Sequence, residues 1–346
     1  MRKLSLFFFL LATVSCSLKT ARDPINKAEV VSADQISLGG VVAELMQNEP
    51  ASGSDASAAS LFDDQIHALG EQLEQLKSKR KKLQGTTLSE EWEELNQKIS
   101  LRFEDLPNAD LQAWVNLNDS LLKYTEEVRF ADALERVVYN SAGNMPLSEE
   151  QVKSFFYTQL YDRIFFNVYG SSSLQYEHTT GGGVRLVQAT NYPYDGKINL
   201  KVELQDTRYL NFYFRIPEWA RQASVICKGV KYKAVPGEFT EIAKKWKNGD
   251  EVEILIGMRP SIVERTQDRP AFGLTYGSLF LSYPAVGSEK LVYQNGDPIQ
   301  FLNFVSPAGK MPTFTFSGLK DTTLVLQPFL AQQHDSVKRT AWIRKK

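Results

Sequence analysis

The sequence predicts an α+β protein: a helical N-terminal part followed by an antiparallel β-sandwich. Two observations carry this. Between about residues 61 and 160, apolar residues recur at three- and four-residue steps, the helical period. From Arg163 onward they alternate in short runs cut by Gly, Pro, Asn and Asp, with no helical pattern between them. An aromatic content of 11%, mostly Phe and Tyr, also favours strands.

The chain opens with a targeting signal. In "MRKLSLFFFLLATVSC", Arg2 and Lys3 precede an apolar run from Leu4 to Val14 that ends at Cys16. The run is too short to span a bilayer and reads as a secretory signal. Cys16 stands where a bacterial lipoprotein signal carries its lipidated residue, although Thr13 replaces the usual Leu three positions earlier. Residues 1–16 are therefore expected to be a lipoprotein signal. Acyl chains on Cys16 would hold the protein on a membrane of the bacterial cell envelope, facing the periplasm or the cell surface. Residues 17–60 end in "NEPASGSDASAAS" and have the composition of a flexible tether.

The helical region spans 61–160. Phe62, Ile66, Leu69, Leu73, Leu76 and Leu83 follow a heptad pattern, with Arg80 in one seam position. "QGTT" at 84–87 breaks it. Leu88, Trp92, Leu95 and Ile99 mark a second helix, so the two form a helical hairpin that packs on itself or docks a partner protein through the Phe62–Leu83 helix. Further helices are expected from Asn108, over "RFADALERVVYN", and after Ser148, a cap ahead of two acids. The sandwich is expected over 161–335, and 336–346 reads as a basic tail.

Composition excludes some classes. A net charge of -1 over 346 residues provides no electrostatic reason for a nucleic-acid partner. With two cysteines, one of them Cys16, Cys227 has no disulfide partner within the chain and reads as a small buried strand residue. "TTGGGVRL" lacks the ending of a phosphate loop and reads as a hairpin. His67, His178 and His334 show no metal spacing, and only His178, beside Glu177, invites a closer look.

"TNYPYDGKINLKVE" from Thr190 resembles a signature strand of glycoside hydrolase family 127, the β-L-arabinofuranosidase-like group, which reads Thr-Asp-Tyr-Pro-Trp-Asp-Gly. "YLNFYFRIPEWARQASVICKG", "EFTEIAKKWKNGDEVEILIGMRP" and "RPAFGLTYGSLFLSYP" resemble its following segments in order and spacing. Gly257-Met258 stands where the family has Pro-Met, and Tyr276-Gly277-Ser278 where it has Arg-Gly-Pro. Upstream, "LNDSLLKYTEEVRFADALERVVYNSAGN" is similar to a late helical hairpin of the family's (α/α)6 barrel. The resemblance runs from about Leu117 to Pro284.

That resemblance implies a barrel followed by sandwiches, with zinc, a cysteine cluster and a glutamate in the active site. A twelve-helix barrel needs well over roughly 200 residues, more than the helical region holds. The stretch from Asn140 to Asn167, where the family carries its Cys-Cys-Pro-Pro motif, contains no cysteine. No catalytic residue and no metal ligand carries over, and no cofactor is expected. Tyr192, Tyr194, Asp195 and Trp219 are the candidate carbohydrate-binding residues: the rings would stack on a sugar while the carboxylate bonds its hydroxyls. The alternative is that the rings fill the sandwich core and Asp195 serves an Asp-Gly turn. The function expected is that of a lipid-anchored, non-catalytic accessory protein that binds a polysaccharide or oligosaccharide at the envelope. The other readings are a structural protein using its helical hairpin and a residual glycosidase with an unrecognised carboxylate pair.

Overall fold

The structure is a computed structural model that describes residues 31–47, 60–102, 104, 106–141, 147–265, 270–288, 291–293, 296–305, 310–331 and 337–346. The expected targeting segment with Cys16, most of the expected tether, and His334 lie outside the described residues. No helix among the described residues is long and apolar enough to cross a membrane.

The chain is α+β, with helices α1 (Gly40–Gln47), α2 (Asp63–Ser78), α3 (Thr87–Ser100), α4 (Asn108–Thr125), α5 (Val128–Asn140) and α6 (Glu149–Phe156). The heptad stripe is used within the chain. Phe62, Ile66, Leu69, Leu73 and Leu83 are buried, and α2 packs on α3 and α4. The expected stripe is thus packed within the chain, against the neighbouring helices. Arg80 does not continue the seam, because α2 has ended and Arg80 adopts a left-handed φ of 51°. The buried Asp110 carboxylate on α4 accepts hydrogen bonds from Leu61 N (2.8 Å) and Phe62 N (3.1 Å), where the helix dipole favours negative charge. Ser148 caps α6 with a reciprocal Gln151 bond, as its position predicts.

Eleven strands form the first β-unit: β1 (Ile36–Leu38), β2 (Tyr157–Leu160), β3 (Arg163–Phe166), β4 (Ser172–Glu177), β5 (Gly183–Thr190), β6 (Lys197–Leu204), β7 (Arg208–Arg215), β8 (Ala223–Cys227), β9 (Val230–Tyr232), β10 (Phe239–Trp246) and β11 (Asp250–Ile256). They make a seven-stranded sheet ordered β1-β4-β5-β6-β11-β8-β9 and a four-stranded sheet ordered β10-β7-β3-β2. Alternation along β6 buries Ile198, Leu200, Val202 and Leu204; along β7 it buries Leu210, Phe212 and Phe214. These two sets share one core, in which Trp246 stacks on Phe212 at 4.3 Å. Gly196 of the Asp-Gly turn is required by a close approach: a Cβ there would sit 1.9 Å from the Ile256 carbonyl oxygen.

The expected single sandwich is two units. A second core, built on Phe272, Leu281, Tyr293 and Phe316, belongs to a nine-stranded assembly. It comprises β12 (Pro260–Arg265), β13 (Ala271–Tyr276), β14 (Leu279–Pro284), β15 (Val292–Tyr293), β16 (Leu302–Phe304), β17 (Phe314–Phe316), β18 (Leu324–Pro328), β19 (Arg339–Thr340) and β20 (Ile343–Lys345). Two expected boundaries change accordingly. The basic tail supplies β19 and β20, with Arg339 buried against Ser282 and Ala341 N bonded to Glu104. Residues 31–47 of the expected tether join the fold: β1 pairs with β4, and Val42 and Leu45 are buried. Both segments are short, and the strands they supply are held by pairing with strands distant in sequence, β1 on β4, β19 on β14 and β20 on β13.

The helical layer is locked to the first β-unit by one buried ionic cluster. On α5, Asp132, Glu135, Arg136, Tyr139 and Asn140 fall at helical steps on a single face. Arg215, at the end of β7 and 0% exposed, donates one amino group to Asp132 and the other to Glu135, itself 0% exposed. The second Asp132 oxygen accepts from Glu218 N at 2.9 Å. Tyr169 stacks under the guanidinium at 5.5 Å and donates to the Arg215 carbonyl, while Tyr139 donates to the Tyr169 carbonyl. Burial pushes the Glu135 carboxyl up; Arg215 pulls it back and neighbouring Asp132 adds to the rise. Burial opposes the charge on Arg215 too, but the two carboxylates outweigh it and hold the guanidinium firmly protonated.

Two expectations follow. Arg215→Leu leaves two buried carboxylates without a counter-charge and should cost about 3–5 kcal/mol in urea unfolding. Those carboxyls then take protons more readily in the folded state, so the loss should be smaller at pH 5 than at pH 7.5; a cost under about 1 kcal/mol would contradict the cluster's role. Asp250 has the opposite sign. Burial alone would raise its carboxyl, but hydrogen bonds from Lys228, Lys244 and Lys247 N prevail and lower it to about 2. Its stabilisation is complete above the unfolded value near 4 and lost as pH falls toward 2. Asp250→Asn should therefore lower stability by about 1–2 kcal/mol at pH 7, with the gap to the parent closing over that acid window.

Candidate functional site

The helical layer covers only part of the four-stranded sheet's outer face, and two recesses remain along the seam. The larger is a groove of about 520 Å³ lined from α3, the α4–α5 turn, β3, β7, β10 and Glu218. Its floor is aromatic. The β3–β7 register sets Phe165 opposite Tyr213, and their rings stack at 4.4 Å and 15°. Phe239 meets Phe165 edge-on at 5.3 Å.

Charge is arranged around this floor. Glu126 ends α4 in a left-handed conformation, φ 57°, and its carboxylate accepts both Arg163 amino groups at 3.0 and 2.7 Å. The Arg163 guanidinium lies 4.9 Å from both the Phe165 and Tyr213 ring centres. Arg129 bonds Glu127 (2.9 Å) and Glu93 (3.2 Å) and lies over Trp92 and Phe130. Tyr213 donates to Glu241 at 2.7 Å. Glu218 is raised by burial and by the neighbouring charges of Asp132 and Glu93, against the pull of Arg136 and Arg129. The groove therefore sets stacked aromatic rings, with the Arg163 guanidinium against them, among carboxylates and guanidinium groups, a mixed apolar and hydrogen-bonding surface of the kind a sugar can use.

The second recess is a cavity of about 190 Å³ where α3, α5 and the β12–β14 strands meet. Trp219 lines it, and its indole Nε1 has no hydrogen-bond partner among the described residues.

The four candidate residues do not converge. Tyr192 is 1% exposed and sits edge-on between Tyr139 and Tyr169, so it is a core residue that presents no face to a ligand. Tyr194 is half-buried against the same core, and burial pushes its hydroxyl up to about 12. Asp195 accepts from Lys197 N at 3.1 Å, the bond of a turn former. Trp219 alone lines a recess. Among the described residues, no ring pair joins any two of Tyr192, Tyr194 and Trp219. His178 bridges Asp162 and Thr180, both at 2.8 Å, as a stitch between hairpins. No three of His, Cys, Asp and Glu converge as a metal site among the described residues. Cys227 is buried in β8 beside Lys244, and burial raises its thiol.

Sequence reasoning missed the groove and the clamp because β7 alternation assigns Tyr213 and Arg215 to the outward face, which reads as solvent. Two acids three residues apart on the apolar face of α5 were the one available signal.

Comparison with known proteins agrees with this architecture. Residues 163–258 match the family model of the GH127 β-L-arabinofuranosidase middle domain. Similar solved structures include one described as a glycoside hydrolase, at 16% identity and a TM-score of 0.56. A GH127 β-L-arabinofuranosidase from Geobacillus stearothermophilus T6 is 17% identical with a TM-score of 0.56. A further GH127 β-arabinofuranosidase is 19% identical with a TM-score of 0.57. Each match covers 69% of this chain and 52%, 50% and 49% of the respective relative, so the chain spans about half their length. No curated protein matches the chain. From Arg163 to Met258 the chain is thus GH127-like, carrying the fold of that family's middle domain.

Proposed function

We propose that this protein is a non-catalytic, lipid-anchored accessory protein that binds a polysaccharide or oligosaccharide at the bacterial cell envelope. The observation that carries the reading is the groove with its Phe165–Tyr213 floor, set on a glycoside-hydrolase-like sandwich. The cysteine inventory supports a non-catalytic role. The sequence holds only Cys16, in the signal, and Cys227, buried in a sandwich strand away from the groove. The family's thiol chemistry has no residue to use.

A second reading is favoured by one group. Glu218 lines the groove with its carboxyl raised, in company with Glu93 and Glu241. A carboxyl shifted upward by burial and neighbouring charge is the kind of group a general acid requires.

The chain from Ser17 should be retained on an immobilised polysaccharide from a panel of plant and host glycans, with no sugar released. Tyr213→Ala should weaken binding up to about tenfold, the worth of one stacking face. Absence of binding across the panel would sink the proposal. Sugar release abolished by Glu218→Gln would replace it with the hydrolase reading. Separately, the full chain should fractionate with membranes and Cys16→Ala should release it; membrane retention of that variant would remove the lipid anchor.

A further inference from the structure

The 190 Å³ cavity has a chemistry different from the groove. Ser100, Arg136, Trp219, Arg259, Thr275 and Ser278 line it, and no carboxylate does so among the described residues. The guanidinium groups elsewhere on this seam are matched: Arg215 has Asp132 and Glu135, Arg129 has Glu127 and Glu93, and Arg163 has Glu126. Arg136 is the exception. Its side chain donates to Ser100 Oγ, a neutral acceptor, and it has no carboxylate within ion-pair distance among the described residues. Burial weakens its hold on its proton, and Asp132, Glu135 and Glu218 offset this only through space. Arg259, exposed at the solvent side, makes no side-chain hydrogen bond or ion pair among the described residues.

One further polar group is unmatched: the Trp219 indole N–H is buried with no hydrogen-bond partner among the described residues. Ser278 is 6% exposed, and its hydroxyl has the Tyr192 hydroxyl within reach as a partner, which leaves it able to donate into the cavity. Buried donors are normally satisfied, and one left unmade is unfavourable. Asn140 fixes the turn that carries Ser278: its amide donates to the Ser278 carbonyl at 2.9 Å and accepts from Phe280 N at 2.7 Å. Gly277 brings that turn against the indole, where a Cβ would lie 3.2 Å from the Trp219 ring. Two guanidinium groups, an indole N–H and a hydroxyl thus face one small space. A water molecule there would answer the neutral donors but bring no charge to balance the arginines.

We propose that this cavity binds an oxyanion group, a carboxylate or sulfate, held by Arg136 and Arg259 and bonded by Ser278 and Trp219. The volume admits the anionic group of a ligand or a single small acid. The same chemistry could be offered by a free inorganic oxyanion or by an acidic sugar. The site is independent of the groove and stands or falls separately from glycan binding there, because Tyr213 does not line it.

The test is calorimetric titration of the purified protein at low ionic strength with sodium sulfate, sodium D-glucuronate and D-glucose. One or both anions should bind and glucose should not. Glucuronate binding tighter than sulfate, with loss in Trp219→Leu, assigns the site to an acidic sugar. Sulfate binding as well or better assigns it to a free oxyanion. Arg259→Gln removes an exposed side chain with no internal partner, so the variant should fold, and it should weaken the anion at least about fivefold. Ser278→Ala should weaken it in the same direction. The proposal is overturned if neither anion binds, if glucose binds as well as glucuronate, or if both variants bind the anion as the parent does.

Discussion

Arg215 is the contact on which the architecture turns. It ends a strand whose alternate residues fill the sandwich core, and it points the other way, into the helical layer. A guanidinium can satisfy two carboxylates at once because its donors are fixed in a planar fork. That geometry offsets part of the desolvation cost of burying Asp132 and Glu135, one helical turn apart. Tyr139 and Tyr169 bond to backbone carbonyls, so Tyr139, Tyr169 and Arg215 form a chain of contacts from α5 to β7. Buried pairs of this kind contribute less to net stability than to a single relative placement of the parts they join.

Placement of α5 determines the recesses beside it. Where the helix covers the sheet, charges are paired and the interior is closed. Beside the α4–α5 turn, which Glu126 ties to Arg163 of β3, Phe165, Tyr213 and Phe239 line the groove with a rim of carboxylates. On the other flank Arg136, on the same face of α5 as the acids, lines the second cavity with Ser278 of the β13–β14 turn and Trp219. Adjacent residues Glu218 and Trp219 line opposite recesses, an acidic one and a cationic one. One short turn after β7 therefore sets the chemistry of both.

The signature stretch that resembles family 127 serves the fold in this chain. Tyr192 packs between two other tyrosines, Asp195 closes its turn, and Gly196 admits the Ile256 carbonyl. In this chain the motif meets packing and turn demands of the fold. The aromatic floor lies instead on β3 and β7, in residues that no motif marked.

Helix and strand identities were legible in the sequence because each follows from a local period: three and four residues for α2 to α6, two residues for β5, β6, β7 and β11. Caps such as Ser148 and turns such as Asp195-Gly196 were legible for the same reason, since their bonds are made within a few residues. Tertiary structure decided what one period cannot encode. Alternation states that Tyr213 and Arg215 share the outward face of β7, but not that a helix will cover one and leave the other beside a groove. It could not show that the heptad stripe of α2 is consumed by α3 and α4, nor that residues 339–345 close a distant sheet. Each of these depends on pairing between residues far apart in sequence, where the energy comes from charge neutralisation and burial across elements and leaves no periodic trace in either one.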